Sequence, residues 1–236
     1  MFYWNQSNFE GLKSVGEEYL SKQGYEDFAN YCLYKEKGLK KKANESIRKY
    51  VSNINTWDVE KKRELSQELA SLWFWHQGIH QLLSHPLHQF VFKTLQEWCE
   101  TEPNNALAHR WFAVMGGGLE HFEKALKIDR KDEISISRLA QAHINDVDYQ
   151  THHLSESLLI GTEEELEASI NEATIYVSML YTDKLKDALV KEISYYSDLF
   201  HAWKEYNTEK TGESFPEWSK SKGKEFNFWS IVYYEE

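Results

Sequence analysis

Of 236 residues, 27 are Lys or Arg and 38 are Asp or Glu, which sets the formal net charge at −11. That charge disfavours duplex nucleic acid as the primary partner, because affinity there comes largely from cations that neutralise phosphates. Nine Trp, 14 Tyr and 12 Phe supply ample apolar area for a core and exclude a disordered chain, while 11 Gly and 3 Pro leave too little turn chemistry for a barrel or sandwich of many short strands.

In chain order, the first twenty residues hold no basic segment followed by an apolar core, so no secretory signal is expected. Apolar spacing predicts helices near 8–23, 25–37, 40–53, 57–82 and 87–101, then shorter ones near 105–115, 118–128 and 133–145. The aromatic segment SLWFWHQGIHQLL within the fourth of these is cut by Ser71, His76, Gln77, His80 and Gln81, too polar for a membrane span. A cytoplasmic protein with no membrane partner is the expectation. Thr162 and Glu165 have the spacing of a capping box, and Leu166, Ile170, Ala173, Val177 and Leu180 form one stripe of the helix that follows. Leu185, Leu189, Ile193, Tyr196, Phe200 and Trp203 continue the pattern, so a second long amphipathic helix should lie antiparallel to the first. The end, EFNFWSIVYY over 225–234, reads as a short strand or an extended tail docked on helices, since an exposed run of that kind promotes aggregation.

Charge is uneven along the chain. From Lys35 to Arg63 ten basic residues face four acidic ones, a local +6, whereas Leu139 to Asp183 holds nine acidic residues and no Lys or Arg, a local −9. The bland reading is solvated helix faces; the sharper one is an acidic surface that meets a basic protein.

An internal repeat is present. A shift of 27 maps Leu95, Trp98, Cys99, Glu102, Pro103, Asn104 and Asn105 onto Phe122, Ala125, Leu126, Asp129, Arg130, Lys131 and Asp132, and Phe112-Ala113 onto Leu139-Ala140. LQEWCETEPNN and FEKALKIDRKD resemble the end of a tetratricopeptide repeat and its exit turn, and ALAHRWFA and ISISRLA resemble the opening helix of the next. A fainter echo lies in YCLYKEKGLKKKANESIRKY. The period is about seven residues short of that family's, with the shortening at Gly116-Gly117-Gly118, where positive φ suits a helix stop. The resemblance, over about 92–140, implies an all-α fold of stacked antiparallel helical hairpins, read here as one helical-repeat domain over 1–236. It also implies that Arg110, Trp111, Arg138 and Gln141 lie on the helices that line a partner-binding groove.

Chemistry-bearing motifs are sparse. Cys32 and Cys99 sit in apolar helical patterns and read as buried, reduced thiols. His76 and His80 are one helical turn apart and could share a metal, but Gln77, Gly78 and Ile79 between them supply no general base, and His85 before Pro86 is biased away from helix. His152-His153 near Asp146 and Asp148 forms a second weak cluster. No phosphate-binding loop and no nucleophile elbow occurs. The expectation is therefore a non-catalytic protein-binding module with no cofactor, no metal and no nucleic-acid partner. It takes one of two forms: an adaptor anchored by Trp111 and Arg138, or an immunity- or antitoxin-type inhibitor whose acidic segment occludes a basic enzyme. A metal-dependent hydrolase using His76 and His80 is the rival.

Overall fold

Eleven α-helices and no strand make up the described part of the chain, which in this computed structural model comprises residues 7–228 apart from 77, 80 and 210. The fold is all-α, built of helices packed on their chain neighbours. The chain divides into two units, Met1–Asp129 and Arg130–Glu236, each described below by itself.

Unit 1 holds α1 (Ser7–Tyr19), α2 (Glu26–Glu36), α3 (Lys40–Ile54), α4 (Val59–Trp75), α5 (His85–Thr101), α6 (Ala106–Phe112) and α7 (Leu119–Ile128). Its first three helices pack through aromatic residues spaced for one helix face. Tyr19 meets Phe28 edge-on at 5.1 Å, and Phe28 lies 5.3 Å from Tyr50. Aromatic pairs of this geometry add about 1 kcal/mol each to their burial. Asp58 caps α4 by accepting from the Lys61 amide at 2.9 Å, as a short acidic side chain before a helix should.

Two predicted boundaries are corrected here. The helix expected to run to residue 82 ends at Trp75: His76 is extended and Gly78 takes a φ of +86°, a conformation that costs little only in glycine. His85, expected to avoid helix, opens α5. Ser84 is the residue before the first turn, and Pro86 sits inside that turn, where a missing N–H is harmless.

Arg63 on α4 is buried and reaches the α5–α6 turn. Its guanidinium donates to Glu102 at 2.6 Å, Glu60 at 2.9 Å and Thr101 at 2.7 Å. Glu102 in turn accepts from the Trp98 indole at 3.0 Å and from Asn105 at 2.9 Å. These donors hold its carboxyl below the usual range, Asn105 and Trp98 contributing more than Arg63. One carboxylate thus shapes the turn that launches α6.

After α6 the chain makes one π-type turn, Ala113–Gly117, with Gly116 at φ +98° and Gly118 at φ +104°. The triple glycine is a helix stop with positive φ, as expected, and it folds α7 back along α6. The 27-residue correspondence also has a structural counterpart, because it maps one helix cap onto another: Asn105 accepts from Leu107 and Ala108 amides, and Asp132 accepts from the Ser135 amide at 3.1 Å.

Unit 2 holds α8 (Glu133–Thr151), α9 (Glu163–Met179), α10 (Asp183–Glu209) and α11 (Phe215–Ser221), with a single 3-10 turn at Leu154–Glu156. Leu166, Ile170, Ala173, Val177 and Leu180 are buried as one stripe, and α9 packs on both α8 and α10. α11 was not expected from the sequence. Its Ser214 and Glu217 form a capping box, and Phe215 and Trp218 are fully buried against Leu154, Leu199, Ala202 and Trp203. Phe226 and Phe228 pack on the same cluster, so the start of the aromatic tail is docked as irregular chain; its remainder, from residue 229, lies outside the described residues.

Candidate functional site

The four residues expected at a partner-binding groove fall in different units. In unit 1, Trp111 is 3% exposed and meets Phe74 edge-on at 6.1 Å, so its ring belongs to the core, with the Arg110 guanidinium 5.0 Å from the ring centre. In unit 2, Arg138 is exposed on α8, and the half-buried Gln141 donates to Asn145 at 3.1 Å.

The acidic segment is built by the α8–α9 pair. Thr162 accepts from the Glu165 amide at 3.1 Å while Glu165 accepts from the Thr162 amide at 2.9 Å, the capping box the sequence predicts. Glu163, Glu164 and Glu165 all fall in the first turn, where the positive end of the helix dipole favours them. Several of the acids are engaged within the unit: Asp148 accepts from the Tyr196 hydroxyl at 2.7 Å, Glu163 from Asn207 at 3.0 Å, and Glu167 pairs with Lys204 at 3.1 Å. Asp146, Glu164 and Glu172 are exposed, with no hydrogen bond or ion pair among the described residues. On the same pair of helices and just beyond, Tyr149, Ile175, Met179 and Tyr181 are also exposed.

Of the two histidine clusters weighed from the sequence, the first has His76 past the end of α4, and His80 is outside the described residues. His152 spends Nδ1 on the Tyr149 carbonyl and His153 pairs with Glu156 at 2.9 Å, while Asp148 is held by Tyr196. A recess between α8 and α10, lined by Asp148, His152, Tyr195, Tyr196 and Phe228, is self-satisfied: the Tyr195 hydroxyl exchanges hydrogen bonds with the Asn227 backbone.

The convergent chemistry is in unit 1, on residues the sequence did not bring together. Among the described residues one group of three side chains with metal-ligating atoms converges: Cys99, His109 and His121, whose ligand atoms all lie within 4.8 Å of one another. Cys99 occupies the last turn of α5, turned inward by the buried Leu95, Trp98 and Cys99 face. His109 lies one turn into α6, and its Nε2 is 2.9 Å from the Pro103 carbonyl, in the turn shaped by Glu102. His121 lies in the first turn of α7, as far beyond Met115 as His109 is before it. The glycine turn therefore places the two rings side by side, with Nδ1 to Nδ1 at 2.8 Å.

The hydrogen bonds determine where the protons are. A carbonyl can only accept, so His109 carries a proton on Nε2, and in the neutral ring its Nδ1 offers a lone pair. His121 Nδ1 then donates to it. Burial lowers the His121 pKa, and Lys124 and His109 lower it further against the opposing pull of Glu120, which favours the neutral ring. Burial pushes the Cys99 thiol up to about 11, against the pull of Lys124, so in the absence of a metal it is a thiol and no nucleophile. Cys32 is buried as well, its thiol pushed up to about 12 by burial. Phe112 packs edge-on against His121 at 4.7 Å. Beside the cluster a pocket of about 500 Å³, lined also by Gln96, Glu100 and Lys124, opens to solvent.

No helix among the described residues is long and apolar enough to cross a membrane. No family model matches the chain, and no curated protein or solved structure matches it either.

Proposed function

We propose that the protein is a non-catalytic binding module whose acidic α8–α9 face takes a basic protein partner. The observation that carries this reading is the run from Leu139 to Asp183, with nine acidic residues and no Lys or Arg, in which Asp146, Glu164 and Glu172 stand exposed without a partner among the described residues. Exposed Ile175, Met179 and Tyr181 supply apolar contact beside those charges. Complementary fields of this kind accelerate encounter and suppress wrong partners more than they add affinity. Burial of the Trp111 ring deprives the adaptor form of its aromatic anchor, so the inhibitor form, in which this face covers a basic enzyme, is the one we favour.

A pull-down from native lysate with the wild-type chain and with an E164K/E172K variant tests it. The expected result is one basic protein, retained by the wild type at low salt, released as screening rises, and absent from the variant. Retention of the same protein by both baits, at both salts, would overturn the acidic-face reading.

A further inference from the structure

We propose that Cys99, His109 and His121 form a zinc site that clasps α5, α6 and α7, with a fourth position open to the adjoining pocket. This inference stands apart from the acidic face of unit 2 and does not depend on it. One thiol and two imidazoles are the donor types of tetrahedral zinc, and three protein ligands with an open fourth position is a recurrent form of such sites. Tetrahedral zinc with bonds of about 2.0–2.3 Å needs ligand atoms about 3.3–3.6 Å apart. Here the two Nδ1 atoms are 2.8 Å apart and the whole set spans at most 4.8 Å. Rotamer shifts of about an ångström therefore suffice, and the backbone stays where it is.

The supporting groups make the geometry specific. A metal-ligating histidine is ordinarily oriented by an acceptor on its other ring nitrogen, and the Pro103 carbonyl does this for His109. That carbonyl is held by a turn with its own network, Glu102 with Arg63, Trp98 and Asn105, so the ring is aimed before any ligand arrives. The cluster is buried at Cys99 and His109 and half-buried at His121, which leaves an entry from the pocket side. Lys124 lines that pocket and opposes a dication, Glu100 lines it and favours one, and a thiolate ligand removes one of the two charges. An anion or hydroxide in the fourth position would meet the Lys124 ammonium.

The exchange balances as follows. Zinc takes the place of the proton shared by the two Nδ1 atoms; His121 moves its proton to Nε2 and remains neutral. The Cys99 S–H bond breaks as the S–Zn bond forms, and one proton leaves to solvent.

Cobalt(II) is the probe, because a thiolate ligand gives it a near-ultraviolet charge-transfer band and tetrahedral coordination gives it intense visible bands. Titration of the reduced full-length chain should saturate at one cobalt per chain with both signals, and zinc should displace the cobalt. Cys99→Ala should abolish the charge-transfer band, and His121→Ala, which removes a ligand itself, should weaken binding at least about 10-fold, the lower end of what the loss of an outer partner costs. His121 is half-buried, so that variant should retain the wild-type circular dichroism and remains informative even where Cys99→Ala fails to fold. The H152A/H153A variant should bind as the wild type does. Cobalt binding without a sulfur band, a band that survives in folded Cys99→Ala, or unweakened binding by folded His121→Ala would each overturn the site.

Discussion

The two units bury polar side chains in different ways. In unit 1 two of them join separate helices or turns: Arg63 is 8% exposed yet holds three side chains, and His109 is 4% exposed with both ring nitrogens engaged. In unit 2 the interior cluster that α11 joins is apolar and aromatic; the buried Asp132, Thr151 and Ser219 bond to backbone three or four residues away, and Asp146, Glu164 and Glu172 lie exposed on α8 and α9. A buried polar group must have its partners in place or it is costly, so unit 1 is specified by a small number of directional contacts. An apolar cluster is specified by volume and shape, which leaves exposed positions such as Asp146 and Glu172 free to carry charge with little consequence for the fold.

That contrast can be broken most forcefully in unit 2. Trp218→Ala removes a fully buried indole that Phe215 and Tyr206 pack against and that donates to Glu209 at 2.8 Å. A cavity of that size costs about 3–5 kcal/mol, and urea denaturation should show the loss. Arg63→Met comes next, at about 2 kcal/mol, since it leaves Glu102 and Thr101 without their charged donor while keeping most of the side-chain volume. Thermal melting checks it, and a cost as large as that of Trp218→Ala would mean that directional contacts outweigh volume even here.

Glu133→Gln probes a smaller directional contact inside unit 2. The Glu133 carboxylate accepts from the Thr182 and Tyr181 amides and from the Thr182 hydroxyl, which ties the link after α9 to the start of α8. Burial raises its pKa, but those three hydrogen bonds outweigh it and the value falls below the ordinary 4.5. The contribution is thus fully present above the ordinary value and is lost as pH falls through the depressed one. Screened by solvent, it amounts to about 1 kcal/mol. The variant should melt lower at pH 7 and lose less than the wild type on acidification; equal acid limbs would refute the assignment. The smallest effect on stability belongs to Glu172→Lys, within about 0.5 kcal/mol, because that exposed side chain in the middle of α9 has no hydrogen bond or ion pair among the described residues. A larger loss would mean that the outer face is not independent of the interior.

Caps and stripes were legible before the structure because they are local. Thr162 and Glu165 declare their box in four residues, and Leu166 to Leu180 declare a face in fifteen. The end of α4 was missed because the aromatic run through Trp75 continues at helical spacing, and the extended His76 that breaks it carries no mark in the sequence beyond the glycine at 78. α11 was missed although Ser214 and Glu217 carry its box, since seven residues, about two turns, offer too little periodicity to notice. The Cys99, His109 and His121 cluster was invisible to spacing rules of a different kind. Its members sit on three helices, and only the fold-back at the glycines makes them neighbours. The one available signal was the triple glycine itself, which marks a hairpin; His109 and His121, each six residues from Met115, meet across it.

The turn from Ala113 to Gly118 also acts as a ruler. Each residue inserted into or deleted from a helix rotates everything beyond it by about 100°. A one-residue deletion among Ala113, Val114 and Met115 would therefore leave α6, α7 and their apolar content nearly unchanged in composition, yet swing one imidazole away from the other. The length of this turn, together with its positive-φ glycines, determines whether the two histidines meet.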